Sequence, residues 1–162
     1  MRIFKRILLV LLAIFIIIQF IRPAKNIHPG VQAASILNKY PASPQVQGIL
    51  QKACNDCHSN NTKYPWYNNI QPVTWWLNDH VEEGKRKLNF DEFLNYSPKK
   101  QAKKLDETIE LVKKGEMPLD SYTWIHKDAI LTQEEKVTLA AWADGVQKAI
   151  EPAPVDTVSV HR

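Results

Sequence analysis

The sequence predicts an all-α fold. Apolar residues recur at helical spacing in four separate stretches, and Ser-Pro or Thr…Glu pairs stand where those stretches should begin. No segment alternates apolar and polar residues between hairpin turns, so nothing argues for a sheet.

The chain opens with Arg2, Lys5 and Arg6, followed by an uninterrupted apolar run from Ile7 to Ile18 that Phe20 and Ile21 extend around Gln19. Basic residues before an apolar stretch hold the N-terminus in the cytoplasm and send the downstream chain across the membrane. The run is shorter than the about 20 apolar residues of a spanning helix, yet long for a signal-peptide core of roughly 7–15. Arg22-Pro23-Ala24-Lys25 makes a poor cleavage site, and the better match, Val31-Gln32-Ala33, lies far from the apolar core. The expectation is an uncleaved anchor over residues 1–21, in the inner membrane through 7–21, with the rest of the chain on the periplasmic side. A cleaved signal would export the same remainder.

Residues 22–42, with Pro23, Pro29 and Pro41, read as a linker, and 152–162, with Pro152 and Pro154, as a disordered tail. Between them, 43–151 has the size of one domain. Its first helix starts at the cap Ser43-Pro44 and carries Val46, Ile49, Leu50 and Ala53 on one face, running into Cys54. A second covers about 73–87, with Val73, Trp76, Leu77, His80 and Val81 as its stripe. A short one follows Asn89, where Glu92 has capping-box spacing. Ser97-Pro98 opens the next, with Ala102, Leu105, Ile109 and Val112 inward and Gly115 as its stop. Thr132, capped reciprocally by Glu135, starts the last, whose stripe is Leu139, Trp142, Ala143, Val146 and Ile150.

A net charge of +4 in 162 residues is too mild to imply nucleic acid, and no Lys/Arg cluster is interleaved with stacking aromatics. A weak docking field toward an acidic partner is its better use. The chain has two cysteines, and both fall in Cys54-Asn55-Asp56-Cys57-His58. This is the signature of c-type haem attachment. Two thiols on one turn can each form a thioether with a haem vinyl group, and the following imidazole reaches the iron from the same side. A thioredoxin-like pair would need a βαβ surround, and zinc would need a second ligand pair. A disulfide closing so short a loop would add little stability.

The second axial ligand decides the function. Met117, in Lys114-Gly115-Glu116-Met117-Pro118, follows a helix stop and precedes a stiffening proline, which suits a thioether ligand and a raised reduction potential. Its bland alternative is a methionine filling a core gap. His80, on an apolar helix face, is the rival that would make the site bis-His, and His126 is a weaker one. The aromatic stretch Tyr64-Pro65-Trp66-Tyr67, with Trp75 and Trp76 beyond Pro72, reads as core or as a wall of the haem pocket. A carbonyl near Pro65 or Pro72 is expected to accept the His58 Nδ1 proton.

Cys54–His58, the Tyr64–Tyr67 cluster, the Gly115–Pro118 loop and a final helix bearing Trp142 together resemble the bacterial "haem-binding domain" family. Its members are short, often N-terminally anchored proteins related in layout to class I cytochromes c. The likeness covers about residues 40–150. It implies a cytochrome c-like bundle of about four to five helices around one covalent haem c, with Val46 or Leu50 meeting Leu139 or Trp142. The glycine and aromatic that class I cytochromes carry upstream of the first cysteine are here Val46 and Leu50, which implies a different helix crossing. The expected function is single-electron transfer by a His/Met-ligated haem, with haem loaded by the cytochrome c maturation machinery and electrons exchanged with redox partner proteins. The alternatives are a peroxidase-like haem enzyme, a gas- or redox-sensing module with bis-His or five-coordinate iron, and a structural haem subunit.

Overall fold

The structure, a computed structural model, describes residues 1–150; Glu151 and the expected tail 152–162 lie outside the described residues. Among the described residues there are eight α-helices, three 3-10 segments and no β-strand, so the all-α prediction holds. The helices are α1 (Arg2–Ile18), α2 (Ile36–Lys39), α3 (Pro44–Ala53), α4 (Asn55–His58), α5 (Val73–Lys87), α6 (Pro98–Lys114), α7 (Asp120–Thr123) and α8 (Gln133–Ala149). The four long helices of the domain are the four read from periodicity. α2, α4 and α7 are single turns, too short to leave a periodic signature.

Local chemistry sets the long helices. Ser43 Oγ accepts from the Val46 amide at 3.3 Å, and Pro44 occupies the first turn of α3. Ser97 and Pro98 do the same for α6. At α8 the Thr132 hydroxyl accepts from the Glu135 amide and the Glu135 carboxylate accepts from the Thr132 amide, which completes the capping box. The short element after Asn89 departs from expectation. It is a 3-10 segment, Phe90–Asn95, capped by the Asn89 side chain alone. Glu92 instead accepts from the Asn60 and Asn95 side chains, and the Asn89 amide is taken by the Tyr96 hydroxyl.

The core is one cluster, with Phe93, Ile36, Ile49, Leu105 and Leu139 almost completely buried. α6 lies along α8, and α3 packs on α8, with Val46, Leu50, Leu139 and Trp142 in the same cluster, as the resemblance implied. The stretch 22–42, expected as a linker, lies against the domain instead. Ile36 and Tyr40 enter the core, the Asn26 side chain is buried against Ser59 and Thr62, and Ile27 forms an isolated bridge with Asn61. Ile36 and Tyr40 in the core, with Leu37 and Ala42 packed against it, tie the stretch down.

α1 stands apart from this core with no buried residue. No helix among the described residues is long and apolar enough to cross a membrane.

Candidate functional site

α3 ends one residue before the motif. Cys54 donates its amide to the Leu50 carbonyl at 3.0 Å, then leaves helical geometry with φ −127°, and His58 closes the next turn by donating to the Cys54 carbonyl at 2.9 Å. The turn therefore presents Cys54, Cys57 and His58 together on the wall of one cavity of about 580 Å3. That volume is within the roughly 300–1,000 Å3 of small-molecule and cofactor sites. Much of the wall is apolar, with Leu77, Val81, Leu111, Val112 and Leu131.

His58 Nδ1 is 2.9 Å from the Leu88 carbonyl oxygen. A carbonyl only accepts, so Nδ1 carries the proton and Nε2 is left as the basic nitrogen. Burial holds the imidazole below its ordinary pKa, with the Leu88 and Gly84 carbonyls partly offsetting that effect, so the ring is neutral at pH 7. The expected acceptor near Pro65 or Pro72 is thus corrected to Leu88. The cause is the approach of α5, whose Gly84 passes so close to the motif that an added Cβ would lie 2.5 Å from the Cys57 carbonyl oxygen. Only glycine permits that crossing, and it brings the C-terminal end of α5 to the imidazole. A helix-interior glycine in Glu82-Glu83-Gly84-Lys85 was the available signal.

Both thiols are free. Burial first, and then the neighbouring Cys57, pushes the Cys54 thiol up to about 12; burial first, and then Asp56, pushes Cys57 up to about 11. A dithiol redox centre needs a depressed thiol pKa, and these groups have the reverse. Among the described residues no group of three or more His, Cys, Asp or Glu side chains could hold a metal ion.

Met117 lines the same cavity. α6 ends in a Schellman turn: Gly115 adopts φ +76°, its amide donates to the Val112 carbonyl, and the Glu116 amide donates to the Leu111 carbonyl at 2.9 Å. The Met117 amide also reaches Leu111, so the loop folds back and its methionine packs against the core. His80 and His126 line the cavity as well. His80 Nδ1 lies 2.8 Å from the Trp76 carbonyl, and its ring leans on the Trp76 indole. His126 Nε2 pairs with the Tyr67 hydroxyl at 3.0 Å, and its ring stacks on Tyr122 at 4.3 Å.

One polar tie crosses the cavity wall that the sequence did not suggest. The Tyr122 hydroxyl donates to the Asp56 carboxylate at 2.8 Å, and the Lys63 amide donates to the other carboxylate oxygen. Burial, then that hydrogen bond, raises the Tyr122 pKa far above its ordinary value, so it stays a donor. α7, just beyond the Met117 loop, is thereby fastened to the residue between the two cysteines.

The cavity thus brings together Cys54, Cys57, His58, Met117 and both rival histidines. The donor set fits haem: two thiols and a neutral imidazole on one wall, and a thioether on the same cavity. Residues 13–145 match the family model described as "Haem-binding domain", a span that holds every one of these residues. No curated protein and no solved structure matches the chain.

Proposed function

The chain belongs to the haem-binding domain family, and from that premise we propose that the cavity holds one haem c, joined through Cys54 and Cys57, with His58 and Met117 as axial iron ligands. The observation that carries this reading is the Cys54–His58 turn on the cavity wall, with His58 already oriented by the Leu88 carbonyl at 2.9 Å. Bound haem would supply one-electron chemistry, and a thioether ligand raises its reduction potential. The chain's own part is to hold two thiols and the imidazole in one turn, exclude water with an apolar wall, and keep His58 neutral.

The protein is, on this reading, an electron carrier of the periplasmic face. Arg2, Lys5 and Arg6 before the apolar run support an inner-membrane anchor through residues 7–21. At 1.5 Å per residue the 17 residues of α1 give about 25 Å, short of a hydrocarbon core of about 30 Å. Snorkelling basic residues and local bilayer thinning accommodate such a mismatch. Haem attachment then falls to the cytochrome c maturation machinery, and electrons pass to redox partner proteins.

The test is expression with that machinery and a pyridine haemochrome spectrum: one covalent haem per chain is expected, and its absence sinks the reading. In Met117→Ala the charge-transfer band of Fe–S(Met) ligation should vanish and the potential should fall. His80, on the same cavity, favours a bis-His second reading. A low-temperature EPR spectrum of bis-His type, unchanged in Met117→Ala, would select it. Five-coordinate iron that binds CO or peroxide would select a haem enzyme or gas sensor.

A further inference from the structure

α1 leaves the domain as a bare apolar rod, its large side chains from Ile3 to Ile17 being 45–74% exposed. Its end, by contrast, is locked. The Gln19 side-chain oxygen accepts from the Gln71 amide at 2.9 Å, and the Gln71 side chain donates to the Ile21 carbonyl at 2.7 Å. The Trp75 indole donates to that same carbonyl at 3.0 Å, and the Arg22 guanidinium donates to the Asn69 carbonyl at 3.2 Å. Gln71 is 1% exposed, so this joint is partly built into the domain. Beside it the surface is apolar and aromatic: Trp66 is 77% exposed, Phe20 83%, Ile21 57% and Ile70 39%. Arg22 and Lys25, which follow Ile21 in the chain, are exposed.

We propose that this joint is a lipid-facing collar. Trp66, Ile70, Phe20 and Ile21 lie in the interfacial layer of the bilayer, and Arg22 and Lys25 lie among anionic headgroups. The proposal rests on the membrane-anchor reading above and adds to it: the domain is seated on the bilayer in one orientation and does not hang from a flexible tether. Three observations point to lipid as the occupant. The surface is continuous with an apolar helix that no part of the domain covers, and so large an exposed apolar surface marks a contact site. Exposed tryptophan with apolar neighbours is the composition of a membrane interface, and basic residues flanking a short span reach the headgroups. Finally, α1 alone falls about 5 Å short of the hydrocarbon core, and apolar collar residues lengthen the apolar surface at its domain end.

The collar is close in the chain to the cavity. Tyr67 and Trp76 line the cavity, and each is the chain neighbour of a collar or joint residue, Trp66 or Trp75.

The experiment reconstitutes the full haem-loaded chain in phosphatidylcholine–phosphatidylglycerol vesicles carrying a phospholipid with a photoactivatable group near its headgroup, and maps adducts by mass spectrometry. Adducts are expected on α1 and on residues 66–75, and not at the exposed Val137 of α8, which packs on α6 and α3. Trp66→Ser with Ile70→Ser, both at exposed positions, should cut the 66–75 adducts several-fold and leave those on α1 unchanged. Adducts on α1 with none on 66–75 would overturn the collar and leave the anchor standing. No adducts on α1 would remove the anchor reading, and the collar with it.

Discussion

The wall that carries His58 is tied into the domain from three directions, whereas the loop that carries Met117 takes its backbone hydrogen bonds from the end of one helix. On the first, α3 holds the Cys54 amide, α5 contributes the Gly84 crossing and the Leu88 carbonyl, and Asp91 accepts from the Asn60 amide just past the motif at 2.8 Å. On the second, the Leu111 carbonyl takes both the Glu116 and Met117 amides, Gly115 turns left-handed to allow it, and the following α7 is tied back through Tyr122 to Asp56. The difference teaches how such a site divides its tasks. The proposed attachment side must be rigid, because three atoms have to meet one ring together. The proposed distal ligand needs only a loop short enough to return to the cavity.

The two glycines test that division, since each sits at the weak point of one wall. Gly84→Ala is expected to have the largest effect. The new Cβ would lie 2.5 Å from the Cys57 carbonyl oxygen and 2.9 Å from its Cβ, and backbone cannot yield as a side-chain tip can. Overpacking of this kind costs typically about 3 kcal/mol, against which alanine's helix propensity returns roughly 1 kcal/mol. Guanidinium unfolding should show a net loss of about 2 kcal/mol, and less haem should be incorporated. Stability within error of the parent would mean that α5 does not cross so closely.

Gly115→Ala should cost less and for another reason. The nearest atom to its Cβ is the mobile Lys136 Nζ at 3.6 Å, so space is available. What alanine lacks is ease at φ +76°, a penalty of about 1 kcal/mol. The expected outcome is a modest fall in the unfolding midpoint and full haem content, with a weakened Fe–S(Met) band. Equal haem loss in both variants would erase the contrast between the walls.

The same contrast explains what was legible in the sequence. The caps at Ser43, Ser97 and Thr132 and the stop at Gly115 are local events, written within four residues, and each stands where it was expected. The grouping of Cys54, Cys57 and His58 was legible for the same reason. The acceptor for His58 was not, because Leu88 is 30 residues away and reaches it only through the Gly84 crossing. The motif gives Asp56 no role of its own, and its bond to Tyr122 spans 66 residues. Ile36 and Tyr40 are four apart, but a single turn between Pro29 and Pro41 is too short to show periodicity, so their burial was hidden in a stretch that reads as linker.

The smallest effect expected lies at the tie between α3, which leads into the His58 wall, and α8. Lys52 Nζ is 2.7 Å from the Glu135 carboxylate, with both side chains under a third exposed. The hydrogen bond from Lys52, and then the Thr132 amide, holds the Glu135 carboxyl below its ordinary pKa. A carboxyl depressed in the folded state binds its proton more readily once unfolded, so its stabilisation is complete above the unfolded value of about 4.3. It is lost as the pH falls through the folded value. An ion pair this close to the surface contributes about 0.5–1 kcal/mol. Lys52→Gln should therefore be less stable than the parent by about that amount at pH 7, as read from denaturant unfolding. The two curves should converge as the pH falls through the depressed folded value of Glu135, where the carboxylate that Lys52 pairs with is lost. A difference that persists unchanged through strongly acid pH would place the effect of Lys52 in the packing of its stem rather than in its charge, and would leave α3 held to α8 by apolar contact alone.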